Sequence, residues 1–391
     1  MTTRPVQVAG VAMTRFGRHP ETTTRRLVTQ AVNGVLADAG LDIGDVQAAF
    51  AANSVEGLTA GQESIRGQVA LRDTGLLGIP IFNIENACSS GSTAFHLAWQ
   101  SVVGGMYDCV LAVGFEKLVM PDKERVFRAF DSTMDLAEMR SKYPAPSGER
   151  SVFMDHYAES ESLLPPDGVS ILARIAAKNH ANGSLNPHAQ FRHPYTAEEV
   201  LASRPIIGPL TLFMCAPMSD GAAAAVLVSA DYARRRGITG VSAAASVMVS
   251  GTGDADGAAG AVPRAVGAAY EIAGMGPADL GLVELHDATA LGEFLYYSDI
   301  GLCDRGDERR LLDTSEVHLG GSRPVNPSGG LIARGHPIGA TGIAQIVEVT
   351  NQLRHRCGDR QVDDARAGLT QNVGGLLGAD VASAAAHIFR R

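Results

Sequence analysis

The chain carries one folding unit twice. Pro5–Val11 reads as a strand, and so does Gly240–Ala245. Each is followed by a loop, a helix of small and apolar residues, and an Ala-Gly stop: Ala39-Gly40 in one case, Ala273-Gly274 in the other. Gly suits such a stop because the closing residue of a helix commonly turns left-handed. A further strand follows each stop, Val46–Ala51 and Leu280–Leu285. Ala39 and Ala273 are 234 residues apart, as are Gly10 and Ala244. One register held over this length marks a duplicated α/β unit. The repeat continues with a shifted register, Cys88-Ser89-Ser90-Gly91-Ser92-Thr93 against His336-Pro337-Ile338-Gly339-Ala340-Thr341. A Cys and a His therefore stand at equivalent helix starts. Cys109–Val113 and Ala367–Gln371 supply a closing strand to each half. Strands alternating with helices predict an α/β fold with a mostly parallel sheet covered on both faces.

Residues 117–205 interrupt the first half. They are richer in charge and proline, as at Tyr143–Arg150, and Val169–Lys178 has helical spacing. This stretch reads as a lid inserted over the mouth of the core, with Asp220–Val228 returning to a core strand. At 391 residues the chain is long enough for two core-bearing halves. A net charge of −9 without a basic arm argues against nucleic acid as a partner. The apolar runs are too short for a membrane span, and Met1–Val6 lacks the apolar stretch of a signal peptide. Five cysteines without C-x-x-C spacing argue against a disulfide scaffold or a zinc site, and for a reducing, cytoplasmic setting.

Four segments carry chemistry. Cys88 lies on a strand-to-helix turn, where free N–H groups and the helix dipole favour a thiolate. Small residues on both sides let a substrate come close. His286 follows the apolar strand Val283-Glu284-Leu285, at the end where open α/β sheets bind ligands. A glycine-punctuated loop, Asn326–Gly335, delivers His336 to its helix start. Gln371-Asn372-Val373-Gly374-Gly375 forms a glycine turn whose N–H groups can face an anion.

Taken in order, Cys88-Ser89-Ser90-Gly91, His286-Asp287-Ala288, Asn326-Pro327-Ser328-Gly329-Gly330 with Gly335-His336-Pro337-Ile338-Gly339-Ala340-Thr341-Gly342, and Asn372-Val373-Gly374-Gly375 resemble the thiolases. Pro209–Ala222 resembles that family's return from its lid. The His-Asp pair is similar to the sterol-carrier-protein, or lipid-transfer-protein-like, type. The resemblance implies the thiolase fold: duplicated βαβαβαββ halves in five αβαβα layers. It divides the chain into an N-terminal half (1–116 and 206–236), a lid (117–205) and a C-terminal half (237–391).

By the same resemblance Cys88 is the nucleophile that takes an acyl group from coenzyme A, and His336 is the base that accepts its proton. The N–H groups of Cys88 and Gly374 form one oxyanion hole. His286 serves a second, and Asn372 belongs to the site. A coenzyme A thioester is then the substrate, with no tightly bound cofactor and no metal. A homodimer and a small OB-fold, zinc-ribbon protein are the implied partners, in a setting of lipid metabolism.

One departure stands out. The second cysteine of thiolases, which moves a proton on the enolate carbon, would fall at Asn372 or at Ala288. Neither residue is an acid or base. The proton must come from His286, His336, water or another side chain, with Cys303 and Asp287 as candidates. The leading expectation is a coenzyme A-dependent acyltransferase that cleaves or forms a 3-oxoacyl-CoA. The alternative is a partner-dependent, acyl-CoA-binding subunit with altered chemistry, either decarboxylative condensation or aldolase-type cleavage. His156, His180, His188 and His193 of the lid are expected to be solvated or capping, with Met154-Asp155-His156-Tyr157 open to a substrate contact, and the cysteines at 109, 215, 303 and 357 are expected to be core or surface thiols. Arg125, Arg128, Lys142 and Arg150 are candidates for the coenzyme A phosphates.

Overall fold

The structure is a computed structural model that describes residues 4–143, 150–253 and 260–391. Residues 144–149 of the proline-bearing stretch lie outside the described residues. The described residues form eleven strands: β1 Val6–Met13, β2 Ala48–Ala52, β3 Ile81–Ile84, β4 Cys109–Glu116, β5 Pro205–Ile207, β6 Leu210–Thr211, β7 Gly221–Ser229, β8 Val241–Ser250, β9 Leu282–Glu284, β10 Ala367–Leu377 and β11 Asp380–Arg390. Nine of them form one sheet in the order β3-β2-β4-β7-β1-β8-β11-β10-β9. Its two halves meet only where Gln7 and Val8 pair with Ser242 and Val241.

The repeat read from the sequence is visible in this order. β1 and β8 open the halves, and the helices Thr24–Ala39 and Ala261–Ala273 follow them. Both helices end on a left-handed glycine, Gly40 (φ 64°) and Gly274 (φ 62°). The sheet is mixed rather than mostly parallel. β2 runs parallel to β3 and β4, and β10 to β9, but β7 is antiparallel to β4 and β1, and β11 to β10 and β8. The reason is connectivity. A helical crossover returns a strand in the parallel sense, whereas β10 and β11 are joined by a short turn at Gly378-Ala379 that can only reverse the chain. β4 and β7 keep the same reversed pairing although the long segment between them separates them in sequence.

The helices Ser90–Val103 and Ile338–Leu353 pack on each other and on strands of both halves, forming the central layer. Their apolar residues share one core with the inner sheet faces. The Thr24–Ala39 and Ala261–Ala273 helices cover the outer faces. This gives helix, sheet, helices, sheet and helix in succession. The central crossing explains the small residues of both helix starts. A Cβ on Gly342 would lie 2.5 Å from the Ser92 nitrogen, and one on Gly114 would lie 2.1 Å from the Gly339 carbonyl.

Between β4 and β7 the chain makes five helices among the described residues and the β5–β6 ribbon, and it re-enters the sheet at Gly221. Within this insertion the Gly168–Ser184 helix packs on the Ala290–Asp299 and Gly330–Arg334 helices of the second half. Lys178 and Asn179 of that helix are buried there. Lys178 pairs with Glu293 at 2.9 Å, and Asn179 donates to both Glu293 and Asp287. The insertion is thus tied by buried polar groups to the segment that bears His286.

Candidate active site

Cys88 sits in a 3-10 turn, Ala87–Ser89, that leads into the Ser90–Val103 helix. Ala87 has φ +48°, a left-handed conformation that a β-carbon disfavours. Local hydrogen bonds hold it there: the Asn86 N–H donates to Ser90 Oγ at 2.8 Å, Ser90 Oγ to the Ala87 carbonyl at 2.6 Å, and Ser89 Oγ to the Asn86 carbonyl at 2.8 Å. The serines flanking Cys88 therefore shape the turn that presents it. β10 lies directly against this turn, since a Cβ on Gly374 would fall 2.2 Å from the Asn86 carbonyl and 2.7 Å from the Ser89 nitrogen.

The two histidines arrive from the second half. The His286 N–H donates to Gln371 Oε1 at 3.0 Å, and the His336 N–H to Ser219 Oγ at 3.0 Å. Asp287 turns away from the His286 ring. Its carboxylate accepts from the Leu331 N–H at 2.6 Å and from Asn179, so it anchors the loop that carries His336. Glu284, one turn of chain earlier, accepts from Ser328 and from the fully buried Arg334. Both acidic residues serve the architecture of the histidine loops. Neither is positioned as the missing proton carrier.

These supports bring Cys88 Sγ and one nitrogen of each ring within 4.8 Å of one another. The imidazoles stand edge to face, 5.3 Å apart at 85°. The nitrogen Nδ1 of His286 lies 2.9 Å from Asn372 Nδ2, and Nδ1 of His336 lies 2.7 Å from Thr341 Oγ1. Asn372 thus joins the site as a neighbour of His286. The trio also has the spacing of metal ligands. However, neither ring has behind it the carboxylate or carbonyl that usually orients a metal-bound His.

Electrostatics overturns one expectation. Burial pushes the Cys88 thiol from 9.0 up to about 12, helped by the negative charges of Glu116 and Glu85. A helix start is worth about 0.3–1 kcal/mol to an anion, up to about 2 when partly buried. Three pKa units amount to about 4 kcal/mol, so desolvation outweighs the dipole. Burial also lowers His286 to about 3 and takes His336 well below its ordinary value, the latter aided by His286 and Arg334. The resting site is a neutral thiol between two neutral imidazoles.

The trio opens into a cavity of about 260 Å³. Phe127, Phe130, Phe153, Met154 and Tyr157 of the insertion line it, together with Tyr296, Val373 and Leu376 of the second half. Met154 and Tyr157 come from the stretch the sequence leaves open to a substrate contact, and His156 of the same stretch also lines the cavity. Tyr157 and Tyr296 bring phenols into an apolar wall, and Cys215 lies in the wall rather than in the core, with Sγ donating to the Thr211 carbonyl at 3.4 Å. Cys303 is not among the lining residues and packs against the second-half core. Arg150 reaches the cavity with Asp155 on its guanidinium, whereas Arg125, Arg128 and Lys142 are engaged by the Leu58 carbonyl, Glu124 and Glu159. Arg204, which the sequence did not single out, also lines the cavity. His180 is a core histidine boxed by Tyr195 and Phe213.

A duplicated α/β fold with a thiol and two imidazoles at its centre defines a thiolase-like enzyme. Comparison with known proteins gives the family. The chain belongs to the thiolases, with the thiolase N-terminal domain matching residues 6–231 and the thiolase C-terminal domain-like family matching residues 243–390. It is 37% identical over 395 residues to an acetyl-CoA acetyltransferase of Methanothermobacter thermautotrophicus, covering 99% of this chain and 100% of that one. It is 37% identical over 386 residues to sterol carrier protein 2 of Gallus gallus, covering 95% of this chain and 70% of the relative. It is 34% identical to the benzoylsuccinyl-CoA thiolase subunit BbsB of Thauera aromatica, covering 95% of both. Among solved structures, the Ltp2-ChsH2(DUF35) aldolase superposes with a TM-score of 0.77 at 20% identity, covering 99% of this chain and 97% of that one. Human mitochondrial 3-ketoacyl-CoA thiolase superposes with 0.72 at 16%, covering 99% and 98%. These two likenesses establish the fold.

Proposed function

We propose that this protein is a coenzyme A-dependent acyltransferase that cleaves, or in reverse forms, a 3-oxoacyl-CoA through an acyl-enzyme on Cys88. The observation that carries the reading is the meeting of Cys88 Sγ with one nitrogen each of His286 and His336 within 4.8 Å, at the floor of an apolar cavity. Cys88 attacks the 3-keto carbon while His336 takes the thiol proton, which suits a thiol that does not ionise by itself. Charge on that oxygen is met by the N–H groups of Cys88 and Gly374. The carbon–carbon bond then breaks, leaving the acyl group on sulfur and an acetyl-CoA enolate whose thioester oxygen is held by His286. The proton stored on His336 passes to the enolate carbon, so one proton travels from sulfur to carbon and no second thiol is needed. Attack by the thiol of coenzyme A returns the acyl group to solution and a proton to Cys88.

The aromatic wall favours a bulky apolar acyl group. Intact-mass measurement after incubation with an acyl-CoA tests the reading. An acyl adduct is expected on the wild type and not on Cys88→Ala, and its absence from the wild type would refute the acyl-enzyme.

A second reading has its own observation, the absence of a thiol at Ala288 and Asn372. On it, the chain is an acyl-CoA-binding subunit that works with a partner, by decarboxylative or aldolase-type chemistry. One relative is named as a subunit, and one structural neighbour is an aldolase solved with a DUF35 protein. The proposed partners are a second copy of this chain and a small OB-fold, zinc-ribbon protein. Retained acyl-CoA binding without an adduct, with turnover restored by such a partner, supports this alternative.

A further inference from the structure

We infer that Asn372 and Thr341 lock the two site imidazoles in opposite tautomers, giving His336 a bare Nε2 and His286 an Nε2–H. The inference rests on the proposed acyl transfer for its consequence, but its structural content comes from proton counting in a buried network.

Around His336, Thr341 Oγ1 lies 2.7 Å from the ring Nδ1 and 3.0 Å from the Pro337 carbonyl oxygen. Two oxygens at the second distance repel unless a proton lies between them, and a carbonyl has none to give. The hydroxyl proton therefore points at Pro337. What Thr341 offers the ring is a lone pair, which only an Nδ1–H can use. His336 then keeps its other nitrogen, Nε2, free of hydrogen and able to take a proton.

Around His286, Asn372 bridges the ring Nδ1 at 2.9 Å and Ser92 Oγ at 3.2 Å. Ser92 is fully buried and Asn372 is 1% exposed, so water does not relieve an unmatched group. With the Asn372 oxygen toward Ser92, the serine hydroxyl donates to that oxygen and the amide N–H donates to Nδ1, and each group is satisfied. With the amide turned over, the serine hydroxyl loses its acceptor in a dry site, an arrangement that folded proteins avoid. The first orientation holds, so His286 Nδ1 is an acceptor and its proton sits on Nε2.

The consequence is a division of labour. One ring can take the proton of Cys88 but has no Nε2–H to offer an oxygen. The other offers that N–H to a substrate oxygen but cannot act as a base through the same nitrogen. Asn372 occupies a position where other thiolases carry a thiol. Here it is a positioning residue, as is Thr341, and neither needs to touch substrate.

The test uses the intact protein carrying 15N-labelled histidine, with signals assigned through His286→Gln and His336→Gln. Nitrogen shifts separate N–H from bare ring nitrogens without reference to activity. The expected result is a proton on Nδ1 of His336 and on Nε2 of His286. The same tautomer at both rings, or the reverse pair, overturns the inference. Asn372→Asp, which can only accept once ionised, should, when read above the pH at which the new carboxyl ionises, move the His286 proton to Nδ1 and lower kcat by roughly 10²-fold or more with little change in KM, the loss expected for one oxyanion donor. Thr341→Val should leave the His286 signature unchanged and slow acylation of Cys88, and Thr341→Ser should restore it. An unchanged His286 signature in Asn372→Asp would reduce Asn372 to a structural role and overturn the inference. Absence of an acyl adduct with both tautomers as expected would refute the acyl-enzyme reading and leave the tautomer assignment standing.

Discussion

The neutral resting state of the site can be tested by replacing Cys88 with Ala and comparing thiolate absorbance across pH. The free energy of moving the thiol proton to an imidazole follows from the two acidities. Cys88 at about 12 and His286 at about 3 differ by about nine units, or about 12 kcal/mol. The resulting ion pair would regain attraction. At 4.8 Å with an effective dielectric constant near 20, that attraction is about 3–4 kcal/mol. The pair therefore stays about 9 kcal/mol uphill. His336 is also held well below its ordinary value, so it offers no easier acceptor at rest. The sign for pH follows: a thiol pushed upward is protonated throughout the neutral range and ionises only as pH approaches its raised value. The ultraviolet difference between wild type and Cys88→Ala, in which the other four cysteines cancel, should show no thiolate below about pH 9. One equivalent of thiolate at pH 7 would refute the reasoning and restore the ion pair that a helix start alone suggests.

Three further outcomes are expected. Gly374→Ala drives a Cβ to within 2.2 Å of the Asn86 carbonyl, so the Cys88 turn must shift; stability to urea should fall by about 1–3 kcal/mol and acylation by more than the loss of fold explains. Lys178→Met leaves Glu293 buried without its cation and should cost about 3–5 kcal/mol by denaturant melting, while a loss below about 1 kcal/mol would mean that the pair does not tie the insertion to the second half. Ala288→Cys places a thiol in the cavity wall beside His286 and should raise deuterium exchange at the enolate carbon of an acyl-CoA by at least about tenfold, below the usual reach of a positioned acid–base group. No gain in a folded variant would show that the proton already has an adequate route.

The duplication was readable because a helix stop is a local event: Gly40 and Gly274 each close a helix left-handed, and the same residue type at the same offset says so in sequence. Cys88, His286 and His336 were readable for a similar reason, since each follows a strand or opens a helix at a distinctive motif. The direction of the closing strands was not, because the reversal at Gly378-Ala379 and the pairing of β7 with β4 across the long segment between them depend on connections rather than on strand composition. The acidity of Cys88 is not legible in the sequence, because a helix start is visible there and burial beside Glu116 is not. Tyr296 and Cys215 sit in ordinary surroundings in the chain and reach the cavity only through tertiary packing.

This separation of sources divides the chemistry in two. The Cys88 turn comes from the first half, and His286, His336, Asn372 and Gly374 come from the second, so neither half holds a site without the central crossing that joins them. That crossing tolerates no bulk, as the 2.1 Å approach of a Gly114 Cβ to the Gly339 carbonyl shows. The site geometry is therefore fixed by a tightly packed crossing. The cavity wall is built differently: Phe127, Phe130, Phe153 and Tyr157 belong to the insertion, whose buried polar ties to the second half run through the Gly168–Ser184 helix, while Tyr157 adds an apolar contact to the second-half core. Phe130 also packs in the apolar cluster that buries Cys88, so it bears on the thiol as well as on the cavity, whereas Phe127 and Phe153 lie outside that cluster and can reshape the cavity without moving Cys88. In the proposed reaction, selectivity for the acyl chain and competence of the thiol are then separable at Phe127 and Phe153, and a change at Phe153 that altered the acidity of Cys88 as much as its choice of acyl group would contradict this division.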